Sequence, residues 1–126
     1  MKQPIITDKA PAAGGPYTAG ILSGDFVFVS GQGPFDPQTK AMPDNIEDQT
    51  KRTLDNVKGV LEAAGASMAD VVKVTVLLTD VADFQAMNRI YETYFPKPFP
   101  ARTTFGVSLA VPNMKIEIDA IAEIKK

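Results

Sequence analysis

Arg102 is the side chain whose chemistry says most about this sequence. It follows Phe99-Pro100-Ala101 and enters an apolar strand predicted over residues 103–109. A guanidinium is permanently charged, and burying it without a counter-charge costs several kcal/mol. Its partner is therefore either a carboxylate of this chain or a carboxylate that a ligand brings. Only the second case indicates a binding site.

Glu117 is the first candidate for a carboxylate within the chain. It lies in a strand predicted over residues 115–124, where apolar and polar residues alternate. The alternation assigns Glu117 and Asp119 to the polar face. By itself, this pattern favours a solvated carboxylate or a structural salt bridge to Arg102. If that face instead meets a second subunit, Glu117 would line a crevice.

Three other polar side chains could line a pocket. Tyr17 follows a Gly/Pro-rich segment, Ser30 lies near the end of a strand, and Asn88 interrupts the apolar stripe of a helix. Each also has an ordinary structural explanation, since such residues often pack, form turns or face water. Residues 31–33 lack the third glycine and the following helix of a dinucleotide-binding loop.

The composition excludes several classes of function. The 126 residues contain no cysteine and no histidine, which removes disulfides, thiolate catalysis and the commonest general base. The formal net charge of −2 and the scattered lysines give no basic stripe for nucleic acid. The first residues show no export signal, and no apolar run reaches about 20 residues. We therefore expect a cytoplasmic protein that does not bind membranes.

The hydrophobic pattern predicts one α+β domain over residues 1–126, with five strands and two helices. The strands are predicted at residues 17–22, 26–32, 71–79, 103–109 and 115–124. The first helix is predicted from a cap at Asp44 or Asn45 to about Ala64, and the second from Asp80 to a point before Pro96. Turns are predicted at Ser23-Gly24-Asp25 and, between the last two strands, at Pro112-Asn113.

The predicted sheet has more apolar surface than two helices can cover. Residues 26–29 are apolar on both faces, and the strand at residues 71–79 also carries apolar side chains on both faces. One face of that strand is wholly apolar, namely Val72, Val74, Val76 and Leu78. The second helix carries a single apolar stripe, namely Phe84, Met87, Tyr91 and Phe95. Because two helices cover only one face of such a sheet, we expect a homo-oligomer to cover the other.

Short segments between about Gly15 and Ala122 together form a longer pattern. They are Gly15-Pro16-Tyr17, Val29-Ser30-Gly31-Gln32-Gly33-Pro34, Leu54-Asp55-Asn56-Val57, Phe84 with Asn88 and Tyr91, Pro100-Ala101-Arg102-Thr103, and Ile116-Glu117-Ile118. In order and spacing they resemble the RidA/YjgF family of imine and enamine deaminases, and the Val-Ser-Gly-Gln and Pro-Ala-Arg matches are specific. The resemblance implies a chorismate-mutase-like α+β fold. It also implies a homotrimer with an active site in each cleft between subunits.

The same resemblance implies a reaction and roles for individual residues. The reaction is hydrolysis of 2-aminoacrylate-type enamines and their imine tautomers to 2-oxo acids and ammonia, without metal or cofactor. Arg102 would bind the substrate carboxylate as a bidentate fork, and Glu117 would hold or activate the attacking water. The residues expected to form the substrate pocket are Tyr17 (reaching in from a neighbouring chain), Ser30, Gly31, Asn88 and Thr104.

Departures from the family pattern leave alternatives open. Thr104 stands where many relatives have a cysteine, and residues 105–112 lack an acidic and a basic residue seen in some relatives. These differences bear on substrate choice, so an aminomuconate-like enamine is an alternative substrate. A trimer that only binds small molecules, or acts like a chaperone, is the non-enzymatic alternative. The acidic balance and the lack of histidine argue against a ribonuclease.

Overall fold

Six strands form one mixed sheet, and two helices lie against one of its faces. The computed structural model describes residues 1–124, with strands β1 (Gln3–Ile5), β2 (Gly20–Ser23), β3 (Phe26–Gln32), β4 (Val71–Leu78), β5 (Ala101–Gly106) and β6 (Ile116–Glu123). The helices are α1 (Ile46–Ala63) and α2 (Phe84–Tyr91). The strand order is β1-β2-β3-β6-β4-β5, with β4 and β5 parallel and the other neighbours antiparallel. The predicted α+β class is confirmed.

Helix α1 begins and ends where its sequence signals predicted. The Asn45 side chain accepts a hydrogen bond from the backbone N–H of Asp48 at 2.8 Å, which caps the first turn. After the last turn, Gly65 adopts a φ of 82°, and the N–H of Ala66 donates to the Leu61 carbonyl at 2.8 Å. The core between α1 and the sheet includes Leu54, Val57, Val60, Val74, Ile116 and Ile118.

The first part of the chain differs from the prediction. Strand β1 was not predicted, since its three residues include Pro4, which has no N–H and weakens a strand pattern. The predicted strand at residues 17–22 begins only at Gly20. Tyr17 lies in the preceding loop because its N–H donates to the Gly15 carbonyl at 2.8 Å in a tight turn. The hairpin at Gly24 is confirmed, with a φ of 58°.

The second predicted helix is shorter than expected. Asp80 does act as a cap, but it caps a 3-10 turn (Val81–Asp83) that precedes α2. At the other end, the N–H groups of Thr93 and Tyr94 donate three residues back, so the helix tightens and stops. The predicted stripe member Phe95 is buried beyond the helix, whereas Phe84 remains 36% exposed.

The predicted face of β4 also needs correction. The register shifts between Val71 and Lys73, and this irregularity turns Val72 out to 44% exposure while Val71 is buried. Strands β5 and β6 are not neighbours, because β4 lies between them. The predicted turn at Pro112-Asn113 is confirmed, since Asn113 has a φ of 68° and the N–H of Met114 donates to the Val111 carbonyl at 3.3 Å, but the turn does not form a hairpin. It belongs to a longer connection that passes the end of β4.

The sheet face opposite the helices is apolar and uncovered in the single chain. Four large side chains on this face are each between 41% and 48% exposed, namely Phe26, Phe28, Val72 and Phe105. Glu117 lies on the same face, paired in register with Leu77, while its neighbours Ile116 and Ile118 are buried on the helix side. One face of the sheet is thus covered by the helices, and the other face is exposed.

Among residues 1–124, no helix combines the length and the apolar character needed to cross a membrane.

Candidate functional site

Arg102 lies on the helix side of the edge strand β5, next to α2. In register it pairs with Val74, which is buried on that face. Its guanidinium carbon lies 4.7 Å from the ring centre of Tyr91 and 5.6 Å from that of Phe84. Aromatic faces stabilise a guanidinium through stacking and cation–π attraction. The cation is therefore positioned by rings that leave its charge uncompensated.

Asn88 supplies the polar contact of this cation. Its Oδ1 accepts a hydrogen bond from Nη1 of Arg102 at 2.7 Å. Asn88 lies four residues after Phe84 and three before Tyr91, so one side of α2 presents a ring, an amide and a second ring. Residues 1–124 contain no ion pair of Arg102. The structural salt bridge to Glu117 or Asp119 is not formed, because β4 separates their strand from β5.

A cleft of about 470 Å³ opens beside the guanidinium. Its lining consists of Asn88, Tyr91, Glu92, Phe99, Pro100 and Arg102. Burial raises the pKa of Tyr91 to about 12, although the nearby Arg102 acts in the opposite direction. The phenol is therefore neutral at physiological pH, and its hydroxyl is buried without a hydrogen-bond partner. We call this space the Arg102 cleft.

A second cleft, of about 450 Å³, contains the other candidate catalytic residue. We call it the Glu117 cleft. Its walls include Tyr17, Gly31, Gly33, Phe35, Met114 and Glu117. Burial raises the pKa of the Glu117 carboxyl above its ordinary value, and the neighbouring Asp119 charge adds to this shift. A carboxylate with a raised pKa is a stronger base than an ordinary surface glutamate.

Gly31 leaves the space that the Glu117 carboxylate occupies. A Cβ atom at Gly31 would lie 2.9 Å from Cδ of Glu117 and would approach Oε2 more closely still. The register between β3 and β6 shifts here, so that Ser30 and Gly31 together stand between the pairs Val29–Ala120 and Gln32–Ile118. The irregular strand thus brings a glycine against the carboxylate.

Tyr17 and Ser30 are connected through the loop that precedes β2. The Ser30 hydroxyl donates to the Thr18 carbonyl, and the Ser30 N–H donates to the Ala19 carbonyl at 2.9 Å. These bonds fix the chain next to Tyr17, which is 53% exposed at the edge of the Glu117 cleft. Ser30 itself does not line the cleft. Its hydroxyl is used to hold the loop.

Thr104 does not line either cleft. It lies two residues after Arg102 on the same face of β5, paired with Val76. Its Oγ1 is buried and makes no hydrogen bond. The family pattern has a cysteine in this position. Because a thiol forms weaker hydrogen bonds than a hydroxyl, burying it without a partner costs less free energy than burying the Thr104 hydroxyl.

The predicted site residues therefore form two groups on opposite faces of the sheet. Arg102 and Asn88 share one cleft, and Tyr17, Gly31 and Glu117 share the other. The sequence pattern did not identify Tyr91 and Phe84 as contacts of the guanidinium, although their spacing around Asn88 on one helix was visible. It also missed Phe35 and Met114, whose apolar side chains carry no chemical signal.

The fold is the chorismate-mutase-like α+β fold, and comparison with known proteins identifies the family. A family model described as Endoribonuclease L-PSP matches residues 7–124. The 2-iminobutanoate/2-iminopropanoate deaminase of Salmonella typhimurium is 43% identical over 125 residues, which cover 97% of this chain and 98% of that protein.

Two solved structures from Escherichia coli agree with this relationship. The YjgF gene product superposes with a TM-score of 0.93 at 41% identity, covering 98% of this chain and 99% of that one. TdcF with bound serine gives a TM-score of 0.93 at 40% identity, with the same coverage. The chain belongs to the RidA/YjgF family.

Proposed function

We propose that the protein hydrolyses small 2-imino acids and their 2-aminoacrylate-type enamine tautomers to 2-oxo acids and ammonia. The observation that carries this proposal is the state of Arg102. It is a half-buried cation held by two rings and one amide, without a carboxylate partner among residues 1–124. A substrate carboxylate would supply the missing charge through a bidentate contact. The named activity of the Salmonella relative and the serine bound to TdcF support a ligand of this class.

Glu117 would act as the base of the reaction. An imine carbon is electrophilic, so one positioned water and one base are sufficient to attack it. Glu117 would remove a proton from the water as its oxygen bonds to the carbon. That proton would then pass to the nitrogen, which gives a carbinolamine with one hydroxyl and one amino group on the former imine carbon. Glu117 would next carry the hydroxyl proton to the amino group, so that the nitrogen leaves as ammonia when the C–N bond breaks and the C=O bond forms. The raised pKa of Glu117 supports both steps, because the carboxyl must accept a proton and return it.

The two clefts require a second copy of the chain to form one active site. In a single chain Arg102 faces the helix side of the sheet, and Glu117 faces the uncovered side. Arg102 lies on the edge strand β5, where a neighbouring subunit can approach it. The exposed Phe26, Phe28 and Phe105 provide an apolar surface for such contacts. We propose a homotrimer in which the Arg102 cleft of one subunit meets the Glu117 cleft of the next.

The reaction is tested with three variants in one assay. An amino-acid oxidase generates the imine, and the rate of 2-oxo acid formation is measured with and without the protein. Arg102→Ala should lower catalytic efficiency by about a hundredfold, and Arg102→Lys by about tenfold, because lysine keeps the charge but loses the fork. Arg89→Ala is the matched control, since it removes one exposed arginine from α2 beside Asn88.

Equal rates for the wild type and Arg102→Ala would refute the proposal. Binding of pyruvate at Arg102 by a protein that accelerates hydrolysis of no imine would instead favour the non-enzymatic alternative.

The shared site is tested by mixing two inactive variants. Arg102→Ala and Glu117→Gln are each expected to retain about 1% of the wild-type activity or less, but each keeps the half-site that the other lacks. After joint unfolding and refolding at equal amounts, random assembly of a ring gives about one quarter of the sites both intact halves. Recovery of about one quarter of wild-type activity is therefore expected. No recovery in mixtures whose mixed assembly is verified by mass spectrometry would contradict a site built from two chains.

A further inference from the structure

We infer that two buried carboxamides of α1, Gln49 and Asn56, are positioning residues that hold the two walls of the Glu117 cleft. Both side chains are completely buried. They lie seven residues apart, which places them on the same side of the helix about 10 Å apart along its axis. The inference rests on the proposed function, because it assigns these amides a part in that reaction.

Asn56 holds the wall that follows β3. Its Nδ2 donates to the Gly33 carbonyl at 2.9 Å and to the Phe35 carbonyl at 2.8 Å. Its Oδ1 accepts a hydrogen bond from Nη2 of Arg52 at 2.9 Å, which fixes the orientation of the amide. Both N–H donors are therefore used on the loop, and a side chain without two donors would leave two carbonyls unpaired.

Gln49 holds the wall that precedes β6. Its Nε2 donates to the carbonyls of Pro43 and Asn113, each at 2.9 Å, and its Oε1 accepts from the N–H of Lys115 at 2.8 Å. The amide thus connects the start of α1 to the segment that leads into the strand of Glu117. Both N–H donors and the oxygen of the Gln49 amide thus have hydrogen-bond partners, as buried polar groups require.

The two held segments meet in the Glu117 cleft. Gly33 and Phe35, fixed by Asn56, form one wall, and Met114, between the residues fixed by Gln49, forms the other. A Cβ at Gly33 would lie only 2.8 Å from Cε of Met114, so the walls are in direct contact. Glu117 is two residues beyond Lys115. Its burial, and hence its proton affinity, depends on both walls staying in place.

A purely structural role is the alternative, and the test separates the two. Asn56→Asp and Gln49→Glu keep the shape of each side chain but replace its N–H donors with an oxygen. Thr53→Val is the matched control on the same helix, because Thr53 is also completely buried but its hydroxyl has no hydrogen-bond partner. Val57→Ala in the core controls for a general loss of stability.

Catalytic efficiency is measured on the folded fraction of each full-length variant, across pH. The amide variants should lose about tenfold or more in efficiency, as expected when a base shifts by a fraction of an ångström. The acidic limb of their pH profile should move, because water entering the cleft and the new carboxyl group both act on Glu117. Amide hydrogen exchange should accelerate at Gly33, Phe35 and Asp36 in Asn56→Asp, and at Asn113 and Met114 in Gln49→Glu because the Asn113 carbonyl loses its donor, but not in β2. Both control variants should keep the wild-type pH profile.

Two results would overturn the inference in distinguishable ways. A wild-type protein that hydrolyses no imine refutes the proposed function and this role with it. An active wild type combined with unchanged efficiency and pH profile in Asn56→Asp and Gln49→Glu refutes the positioning role alone. The positioning role is also refuted if Val57→Ala, at a loss of stability equal to that of the amide variants, lowers catalytic efficiency by the same factor as they do.

Discussion

Replacing Gly31 with alanine should disable the base while leaving the fold intact. The new Cβ would lie 2.9 Å from Cδ of Glu117, whereas carbon atoms in normal contact are separated by 3.5–4.0 Å, so the carboxylate must move by roughly 0.6–1.1 Å. A misplacement of about 1 Å can lower the rate about a hundredfold, which corresponds to about 2.7 kcal/mol of activation free energy. The atoms that must yield belong to the flexible end of Glu117, so the backbone can stay in place.

The assay compares imine hydrolysis and thermal unfolding for two glycine variants. Gly14→Ala is the matched control, because Gly14 also lines the Glu117 cleft but a Cβ there would meet no atom within 4 Å. Neither glycine has a positive φ, so alanine is tolerated by the backbone at both positions. We expect Gly31→Ala to lose about a hundredfold in catalytic efficiency with a change in stability within about 1 kcal/mol. Gly14→Ala should change neither quantity.

A double-mutant cycle tests the stated cause. Glu117→Asp shortens the side chain and vacates the space that the new Cβ needs, so adding Gly31→Ala to Glu117→Asp should cost much less than adding it to the wild type. Full additivity of the two losses would refute steric displacement of Glu117. Equal losses in Gly31→Ala and Gly14→Ala would refute it as well, since they would indicate a general effect of cleft glycines.

Two further predictions concern titration and burial. The folded pKa of Glu117 is raised, so the folded chain binds more protons than the unfolded chain between the ordinary and the raised values, and wild-type stability falls as pH rises through that window. At pH values above the raised pKa, Glu117→Gln should therefore unfold at a higher temperature than the wild type. A difference in unfolding temperature between the two proteins that stays constant down to pH 4 would contradict this reasoning. The buried Tyr91 hydroxyl has no partner, so Tyr91→Phe should retain activity and be as stable as the wild type or up to about 1 kcal/mol more stable by urea unfolding. A large loss of carboxylate binding in Tyr91→Phe would instead mean that the hydroxyl contacts the ligand.

Signals confined to one helix or turn were readable from the sequence. Asn45 and Gly65 marked the ends of α1 because capping depends on a few consecutive residues. The alternation around Glu117 assigned it to the face away from the helices, because side chains of a strand point alternately to opposite faces. The shortened α2 and the exposed Val72 could not be predicted. Both depend on hydrogen bonds and register set by other parts of the chain.

The buried amides show a different limit of sequence reading. Gln49 and Asn56 look like ordinary polar residues of a solvated helix face, and only the tertiary structure shows that both are completely buried. Their partners lie up to 66 residues away in the chain, so no local pattern reveals them. The same applies to the aromatic support of Arg102 by α2.

By itself the sequence determined the α+β class, the positions of most elements and the family pattern that contains Arg102 and Glu117. The tertiary structure decided how these two residues are placed relative to each other: β4 lies between their strands, and the registers pair Arg102 with the buried Val74 and Glu117 with Leu77 on the other face. Side-chain alternation is a local property of each strand, whereas the order of strands depends on pairings between distant segments. The order and the registers together place the cation and the carboxylate in separate clefts of one chain.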